Sequence, residues 1–302
     1  MAEESKRAVV AGFVGNLLIT ISKFVAAALS GSAAMLAEAI HSIIDTGNGA
    51  LMLWGMRASR KPPDQDHPFG YGHELYFWSL LVGMIVFGLG GGMSVVSGVF
   101  HILNPRAPGN VGLSYGVIAV AAVFEGASWY FGLKAFSKER RGRGIVETIK
   151  RTKDPTSFSV LLEDSAALAG LALAFLGIFL SVRLDAPWLD GAASVAIGVL
   201  LCAVAWVMVY ESKGLLVGEG VEKKTLERVR AIVKGDKDVV ALDKLLTLYL
   251  SPNELLVAAE VRFRSEMTVE ELRVAIARVR EAIQGEYPRV KRFFIDATAI
   301  GG

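Results

Sequence analysis

The sequence predicts an α-helical integral membrane protein of six transmembrane helices, followed by a small cytoplasmic α/β domain of αββαβ order, ferredoxin-like in type. Three observations support this fold class. The 302-residue chain is 53% hydrophobic, with a mean hydropathy of +0.45, which is unusual for a soluble protein of this length. Six apolar stretches are each long enough for the roughly 20 helical residues that cross a bilayer. After residue 219 the composition becomes that of a soluble domain. We therefore predict a transmembrane domain over residues 1–213 and a regulatory or dimerisation domain over residues 214–302.

The apolar stretches are joined by short connections, except for the one that follows the fourth stretch. Lys and Arg concentrate before the first stretch, after the second and in the loop after the fourth, whereas the opposite loops carry few. The positive-inside rule therefore predicts that both termini are cytoplasmic, in the cell membrane if the source is prokaryotic. The first stretch is too long for the apolar region of a signal peptide and is interpreted as a retained span. The predicted spans are Ala8–Leu29, Ala33–Met56, Leu75–Leu103, Val111–Phe136, Phe158–Val182 and Leu189–Tyr210.

The C-terminal segment contains two helical and three strand patterns. Thr268 and Glu271 form a capping box that opens the second helix, whose apolar residues recur at helical spacing. A domain this small gains stability from a partner, so a homodimer is expected. The elements predicted in order are helix Glu222–Val233, strand Leu242–Leu250, strand Val257–Arg264, the capped helix and strand Lys291–Thr298.

Ionisable residues inside the predicted spans indicate the functional site, because each costs ~2.5–3.5 kcal/mol to insert. The second span carries Glu38, His41 and Asp45 at spacings of three and four, which place them on one helical face. The fifth span carries Glu163 and Asp164. At ~1.5 Å rise per residue, Asp45 and Asp164 lie ~18 and ~15 Å from the cytoplasmic ends of their helices, a similar depth. An imidazole and several carboxylates at one depth suit Zn²⁺ or Mn²⁺.

Other polar residues of the spans have more than one interpretation. Lys23 either snorkels outward or pairs with an acid. Glu125 is either a proton carrier or a structural partner, and Glu38 is a satisfied polar residue, a gate or a metal ligand. "GLGGGM" in the third span is a helix-packing signal, since small residues allow close approach in lipid. The single cysteine excludes a disulfide framework or Cys cluster, and the net charge of +2 does not indicate nucleic acid.

Several motifs together resemble the cation diffusion facilitator family of divalent-metal/proton antiporters. They are the His-x-x-x-Asp of "AIHSIIDTGN" in the second span, "HPFGYGHE" before the third, and "SKGLLVGEG" at the passage into the tail. "FEGASW" in the fourth span and "LLEDSAA" in the fifth are similar to the zinc transporter 9 type branch of that family. The resemblance covers the whole chain and implies a six-span fold with cytoplasmic ends and a dimeric state.

The resemblance implies a central metal site that joins the second and fifth spans. Its family pattern is (His/Asp)-x-x-x-Asp on each span, so the implied ligands are His41, Asp45 and Asp164. Val160 stands where the fifth span of the family has another ligand. Glu163 or Glu125 is the candidate replacement, although neighbouring helical residues point about 100° apart, so Glu163 and Asp164 do not both face one ion in a regular helix. Three protein ligands plus water is the other possibility.

The family's second metal site, in the loop between the second and third spans, is only partly matched. Asp64 and His67 stand at the positions of an Asp and a His, but Tyr71 occupies that of the other His. Tyrosine is a poor ligand at neutral pH because its pKa is near ~10. A solvated loop without metal is the alternative interpretation. His73 and His101 are expected near helix ends, without metal.

The function expected from the resemblance is efflux of a divalent metal ion by proton antiport through alternating access, with zinc first and manganese next. His41, Asp45 and Asp164 would couple protons to metal, since ligands must lose protons to bind it. The expected partners are the metal ion, protons, the lipid bilayer and a second copy of the chain, with no prosthetic group and no nucleic acid. One alternative is a metal-responsive membrane sensor or scaffold that transports nothing. An intramembrane hydrolase is disfavoured, because no H-E-x-x-H motif is present, so we do not expect an enzyme.

Overall fold

The computed structural model describes residues 2–140 and 153–298. The chain divides into two compact units. Met1–Arg57 and Phe77–Ser212 form the first, which is helical; we call it the membrane unit. Ala58–Tyr76 and Lys213–Gly302 form the second, which contains the sheet and is called the α/β unit. The connection between the second and third predicted spans thus belongs with the C-terminal residues.

All six predicted spans are helical wherever the structure describes them. Among the described residues, four helical segments are long and apolar enough to cross a membrane, namely Glu74–Leu103, Val111–Lys134, Phe158–Arg183 and Trp188–Val217, and Asn16–Ser30 is a shorter apolar helix. The number of six crossings therefore stays a prediction. The elements are α1 (Ala2–Ser30), α2 (Ala33–Ala58), α3 (Glu74–Ile85), a π-helical segment (Val86–Gly92), α4 (Met93–Leu103), α5 (Val111–Arg140), α6 (Pro155–Arg183) and α7 (Trp188–Val217).

The start of α2 is held by the first turn of α7. Gly31 ends α1 in the left-handed region, with a φ of 66° that glycine adopts without strain. Ser32 follows as the cap of α2, and its hydroxyl accepts from Met35 N at 3.1 Å. The fully buried Asp190 of α7 accepts from Ser32 Oγ at 2.6 Å and from Ala33 N at 2.5 Å. These bonds satisfy backbone N–H groups at the start of α2 that have no partner within the helix. They also fix the position of the N-terminal end of α2, which precedes Glu38, His41 and Asp45.

Glycines bring α3, the π-helical segment and α4 close to α7. An ideal Cβ at Gly91 would lie 2.9 Å from Gly198 O, and one at Gly198 would lie 2.7 Å from Gly91 O. The packing role predicted for "GLGGGM" is therefore confirmed at Gly91. The same stretch forms a π-helical segment that the sequence pattern did not predict. On the other side of the unit, α5 packs against α6 and α1.

The α/β unit has the predicted αββαβ order. Its elements are α8 (Lys223–Lys234), β1 (Val239–Ser251), β2 (Glu254–Phe263), α9 (Val269–Glu286) and β3 (Val290–Thr298). The sheet order is β1-β2-β3, with β1 and β2 antiparallel and β2 and β3 parallel. β1 starts before the predicted Leu242 because Val239 pairs with Phe263 at the end of β2. β2 likewise starts before the predicted Val257, because the turn after Ser251 is tight enough for Glu254 to pair with it.

One face of the sheet carries both helices. Its core is formed by Val229 and Val233 of α8, Val257 and Val261 of β2, and Ile283 of α9. The predicted capping box is confirmed, with Thr268 N donating to Glu271 Oε2 at 2.7 Å and Glu271 N donating to Thr268 Oγ1 at 3.3 Å. The apolar residues predicted for this helix pack against the core.

Candidate metal-binding site

One face of α2 carries a row of polar side chains inside the membrane unit. His41 and Asn48 are buried, with 3% and 2% of their surface exposed, and Asp45 lies between them. His41 Nε2 is buried without a hydrogen-bond partner among the described residues. Buried polar atoms are nearly always bonded, so an orphaned imidazole nitrogen calls for an explanation. A metal ligand position is one, because the neutral imidazole offers a lone pair there.

Helix α6 meets this face through Glu163. Asn48 Nδ2 donates to Glu163 Oε1 at 3.2 Å. The carboxyl groups of Glu163 and Asp45 are also hydrogen-bonded to each other. Two carboxyl groups share a hydrogen bond only when one of them carries a proton, because an ionised carboxylate has no donor. The contact between α2 and α6 therefore brings together two potential metal ligands that share a hydrogen bond only while one of them is protonated.

Asp164 faces a different helix. Its Oδ2 accepts from Ser128 Oγ of α5 at 2.9 Å, and the neighbouring Ser165 accepts from Trp129 Nε1 at 3.0 Å. Glu163 thus points toward α2 and Asp164 toward α5. Neighbouring residues of a regular helix are expected to diverge in this way. Val160, at the position where a ligand is missing, is 47% exposed.

The structure thus brings Asp45 and Glu163 into direct contact, while Asp164 bonds to α5 and His41 Nε2 has no hydrogen-bond partner in the part of the chain that the structure describes. Across residues 2–140 and 153–298, no three His, Cys, Asp or Glu side chains lie close enough in this conformation to hold a metal ion. The full ligand set stays a prediction.

Lys23 of α1 is the centre of a second polar cluster. Its side chain is fully buried, so of the two interpretations of this residue, outward snorkelling is wrong. Its Nζ donates to Ser42 Oγ at 2.7 Å and to Glu38 Oε2 at 3.1 Å, and lies 3.6 Å from Glu125 Oε1. Lys23 can stay buried because two carboxylates and a hydroxyl replace the water molecules that its ammonium group loses.

The loop that resembles the family's second metal site is arranged differently. Asp64 Oδ2 accepts from the Tyr71 hydroxyl at 2.6 Å, and Asp64 Oδ1 accepts from His67 N at 2.7 Å. The Tyr71 hydrogen bond holds the pKa of Asp64 below its usual value, and Asp64 in turn raises the pKa of Tyr71. Tyr71 is therefore kept as a neutral donor, the state in which a phenol is least able to bind metal.

This loop is attached to the sheet of its own unit. His73 Nε2 lies 3.0 Å from Tyr249 O of β1, and the Arg292 guanidinium lies 5.3 Å from the centre of the Phe69 ring. His73 directly precedes α3, as expected of a residue at a helix end. His101, in the last turn of α4, lies 3.7 Å from Asp190 Oδ2.

Several polar residues of the membrane unit were not singled out from the sequence, among them Asn48, Ser128 and Asp190. Asn48 follows Asp45 by three positions, and Ser128 follows Glu125 by three, so helical spacing alone places each on the face of a residue that was identified. Asp190 has no such signal. It lies at a helix start, where an acidic residue is common, and its role in holding α2 depends on contact between distant parts of the chain.

Comparison with known proteins agrees with this architecture. The family profile "Cation efflux transmembrane domain" matches residues 9–217, and "Cation efflux protein, cytoplasmic domain" matches residues 221–297. The chain is 32% identical over 271 residues to metal tolerance protein C4 of Arabidopsis thaliana, covering 89% of this chain and 59% of that protein. It is 30% identical over 250 residues to the human mitochondrial proton-coupled zinc antiporter SLC30A9, covering 82% and 44%.

A more distant relative is the manganese efflux system protein MneP of Bacillus subtilis, which is 21% identical over 247 residues, with 80% of this chain and 78% of that protein covered. The match to the first two relatives extends over only part of their sequences. The chain spans between 44% and 59% of the length of those two proteins.

Proposed function

Because the chain belongs to the cation efflux family, we propose that it exports a divalent metal ion, zinc before manganese, in exchange for protons. The observation that carries this proposal is the contact between Asp45 and Glu163 across α2 and α6. It lies one helical turn from His41 Nε2, which has no hydrogen-bond partner within residues 2–140 and 153–298. Burial of ionisable side chains in a helical membrane domain costs free energy, and a role in metal binding explains why these residues are present there.

The proposed ligands come from two helices. His41 and Asp45 are contributed by α2, and Asp164 of α6 stands at the family's ligand position. Glu163, already bonded to Asp45, takes the place that Val160 leaves without a donor. One imidazole and carboxylate oxygens admit both zinc and manganese. Zinc is placed first because the human relative is named as a zinc antiporter, and manganese second because the Bacillus relative is named as a manganese efflux protein.

Proton coupling follows from the shared carboxyl proton. A divalent ion that binds Asp45 and Glu163 must displace the proton held between them, since metal ligands bind in their deprotonated form. Binding of metal and binding of the proton therefore exclude each other at this position. His41 and Asp164 add two further groups that bind either a proton or the metal.

Alternating access would then carry the two cargoes in opposite directions. With the site open to the cytoplasm, metal displaces protons, and with the site open to the other side, protons displace metal. In this proposal α1, α2, α3 with α4, α5, α6 and α7 form six crossings with both termini cytoplasmic. Two chains form a homodimer, in the cell membrane if the source is prokaryotic. Labelling of single cysteines in a Cys202→Ala background would test the side on which each terminus lies.

Flux into proteoliposomes tests the proposed function directly. Purified protein is reconstituted, and zinc uptake is followed with an internal dye, with and without a pH gradient. We expect saturable uptake that the gradient accelerates and that Asp45→Asn reduces by at least about 100-fold, as loss of a metal ligand would. Glu270→Gln, on the exposed surface of α9, is the matched carboxylate control.

Two outcomes contradict the proposal in different ways. Saturable uptake that is indifferent to the pH gradient would refute antiport while leaving transport intact. Zinc binding without any saturable uptake would support the alternative of a membrane sensor or scaffold. The same assay with manganese in place of zinc ranks the two metals.

A further inference from the structure

Lys23 has a setting that metal transport by His41 and Asp45 does not require. Its side chain is fully buried, and its partners belong to two other helices, with Glu38 and Ser42 on α2 and Glu125 on α5. An isolated ammonium in a low-dielectric interior costs several kcal/mol, which only close opposite charges offset. Three oxygen-bearing groups at 2.7 to 3.6 Å provide that compensation.

Glu38 is held in this cluster by the shape of α6. Its side chain is fully buried, and while Oε2 accepts from Lys23, Oε1 has no hydrogen-bond partner among the described residues. A Cβ at Gly170 of α6 would collide with Glu38 Oε1, so the glycine leaves the space that this oxygen occupies. The Glu38 carboxylate therefore lies between the Lys23 ammonium and the space beside Gly170 of α6.

The groups around the ammonium are of the kind that bind divalent ions. Two carboxylates and a hydroxyl from α2 and α5 surround one positive charge, and oxygen ligands of this type suit hard or borderline divalent cations. The cluster also lies beside the proposed transport site, since Ser42 is the residue after His41. Without the lysine, the membrane unit would have a second acidic position next to the first.

We propose that Lys23 is a tethered cation that occupies this acidic position, keeps Glu38 and Glu125 out of the metal's ligand set, and limits the membrane unit to one divalent ion. The inference rests on the proposed function, because it specifies which carboxylates the transported ion can reach. It assigns Lys23 as a positioning residue, since the ammonium contacts the competing carboxylates and not the metal. If the membrane unit binds only one divalent ion, the metal charge transported in each cycle is always the same.

Metal stoichiometry of the full-length protein tests this inference. Wild type, Lys23→Gln and Lys23→Arg are purified in detergent, dialysed against saturating zinc, and analysed by mass spectrometry of the bound metal. We expect one more zinc ion per chain in Lys23→Gln than in wild type, because Glu38, Ser42 and Glu125 then form a vacant acidic position. Lys23→Arg keeps the charge and should match wild type. Equal zinc content in Lys23→Gln and wild type, both monodisperse, would overturn the inference.

A double variant keeps the test decisive if Lys23→Gln does not fold. Lys23→Gln/Glu38→Gln replaces the buried pair by two neutral amides of similar shape, a change that folded proteins often tolerate. If the only role of Glu38 is to compensate the charge of Lys23, this variant binds one zinc ion with an affinity within about three-fold of wild type. If the affinity falls by about 100-fold, Glu38 is itself a metal ligand and the inference is wrong.

Failure of the proposed metal site, on which the proposed function rests, would look different. In that case Asp45→Asn would retain the zinc content of wild type, whatever the Lys23 variants do. If Asp45→Asn loses one ion and Lys23→Gln gains none, the transport site stands and the role of Lys23 is refuted. The Asp45→Asn sample therefore belongs in every series.

Discussion

Two regions of the molecule carry the His and Asp residues that the sequence proposed as metal sites, and their surroundings differ. In the membrane unit His41 is 3% exposed, and its Nε2 has no partner among the described residues. In the loop, His67 and Asp64 are 52% and 50% exposed, and both oxygens of Asp64 accept hydrogen bonds from the protein. A buried polar atom without a partner costs about 1–3 kcal/mol, whereas a satisfied, exposed carboxylate costs nothing comparable. Unmet hydrogen-bonding capacity, and not residue type, therefore distinguishes the two regions.

The largest effect is expected from Glu163→Gln. The amide keeps the shape of the side chain but is no longer a carboxylate that can bind a metal ion or take up a proton. We expect the zinc affinity measured by titration calorimetry in detergent to fall by about 100-fold, with Glu270→Gln as the unchanged control. A fall of less than about three-fold would mean that Asp164 alone represents α6 at the metal.

The next effect is a gain in the loop. Tyr71→His should release Asp64 from its phenol hydrogen bond and place two imidazoles beside it, as in the family pattern. We expect zinc binding in the loop to strengthen by about 30-fold over Tyr71→Phe, which removes the hydroxyl without adding a ligand. Measurement in an Asp45→Asn background isolates the loop from the membrane site. Equal binding by the His and Phe variants would show that the loop lacks a metal geometry whatever stands at this position.

A smaller effect is expected from Asn48→Ala. Asn48 donates to Glu163 and so orients a proposed ligand without touching the metal itself. Loss of such a supporting hydrogen bond typically lowers metal affinity by about 10-fold. Ser128→Ala, which removes the donor to Asp164, gives the parallel measurement on the α5 side. If Ser128→Ala has the larger effect, Asp164 is a more important ligand than Glu163.

The smallest effect concerns an ion-pair cluster of the α/β unit, in which a partly exposed Arg278 contacts two nearly buried carboxylates. Arg278 donates to Asp236 Oδ2 at 2.6 Å and to Asp238 Oδ2 at 2.8 Å, and these bonds lower the pKa of both carboxyls. Groups with a lowered folded pKa stabilise the fold above their unfolded pKa of 3.8, and this contribution is lost as the pH falls through the folded pKa.

We therefore expect Arg278→Ala to lower the melting temperature by a few degrees at pH 7. The difference from wild type should shrink as the pH falls below 3.8, the unfolded pKa of the two aspartates. Circular dichroism melts of the two full-length proteins measure it, since the unchanged membrane helices contribute equally. A difference that persists at pH 2 would show that Arg278 acts through packing and not through charge.

Local sequence patterns predicted most of the helices and strands, and they placed the α2 residues of the candidate site on one helical face. Apolar length located the helices of the membrane unit, alternation and the Thr268–Glu271 capping box located the sheet and its second helix, and the spacing of Glu38, His41 and Asp45 placed them on one face. These features are local, because they depend on 1.5 Å of rise and 100° of rotation per residue within one helix or on pairing between neighbouring strands.

Which side chains meet between helices became visible only in the three-dimensional structure. It turned Glu163 toward Asp45 and Asp164 toward Ser128, buried Lys23 between Glu38 and Glu125, and let Tyr71 saturate Asp64. If a helix turned about its axis by the angle between two successive residues, a different side chain would face the neighbouring helix. The apolar pattern of the sequence is compatible with either orientation, because these helices are apolar over most of their surface. That rotation is set by packing, through close contacts such as Gly91 against Gly198 and buried caps such as Asp190 on α2, which periodicity along the chain does not encode.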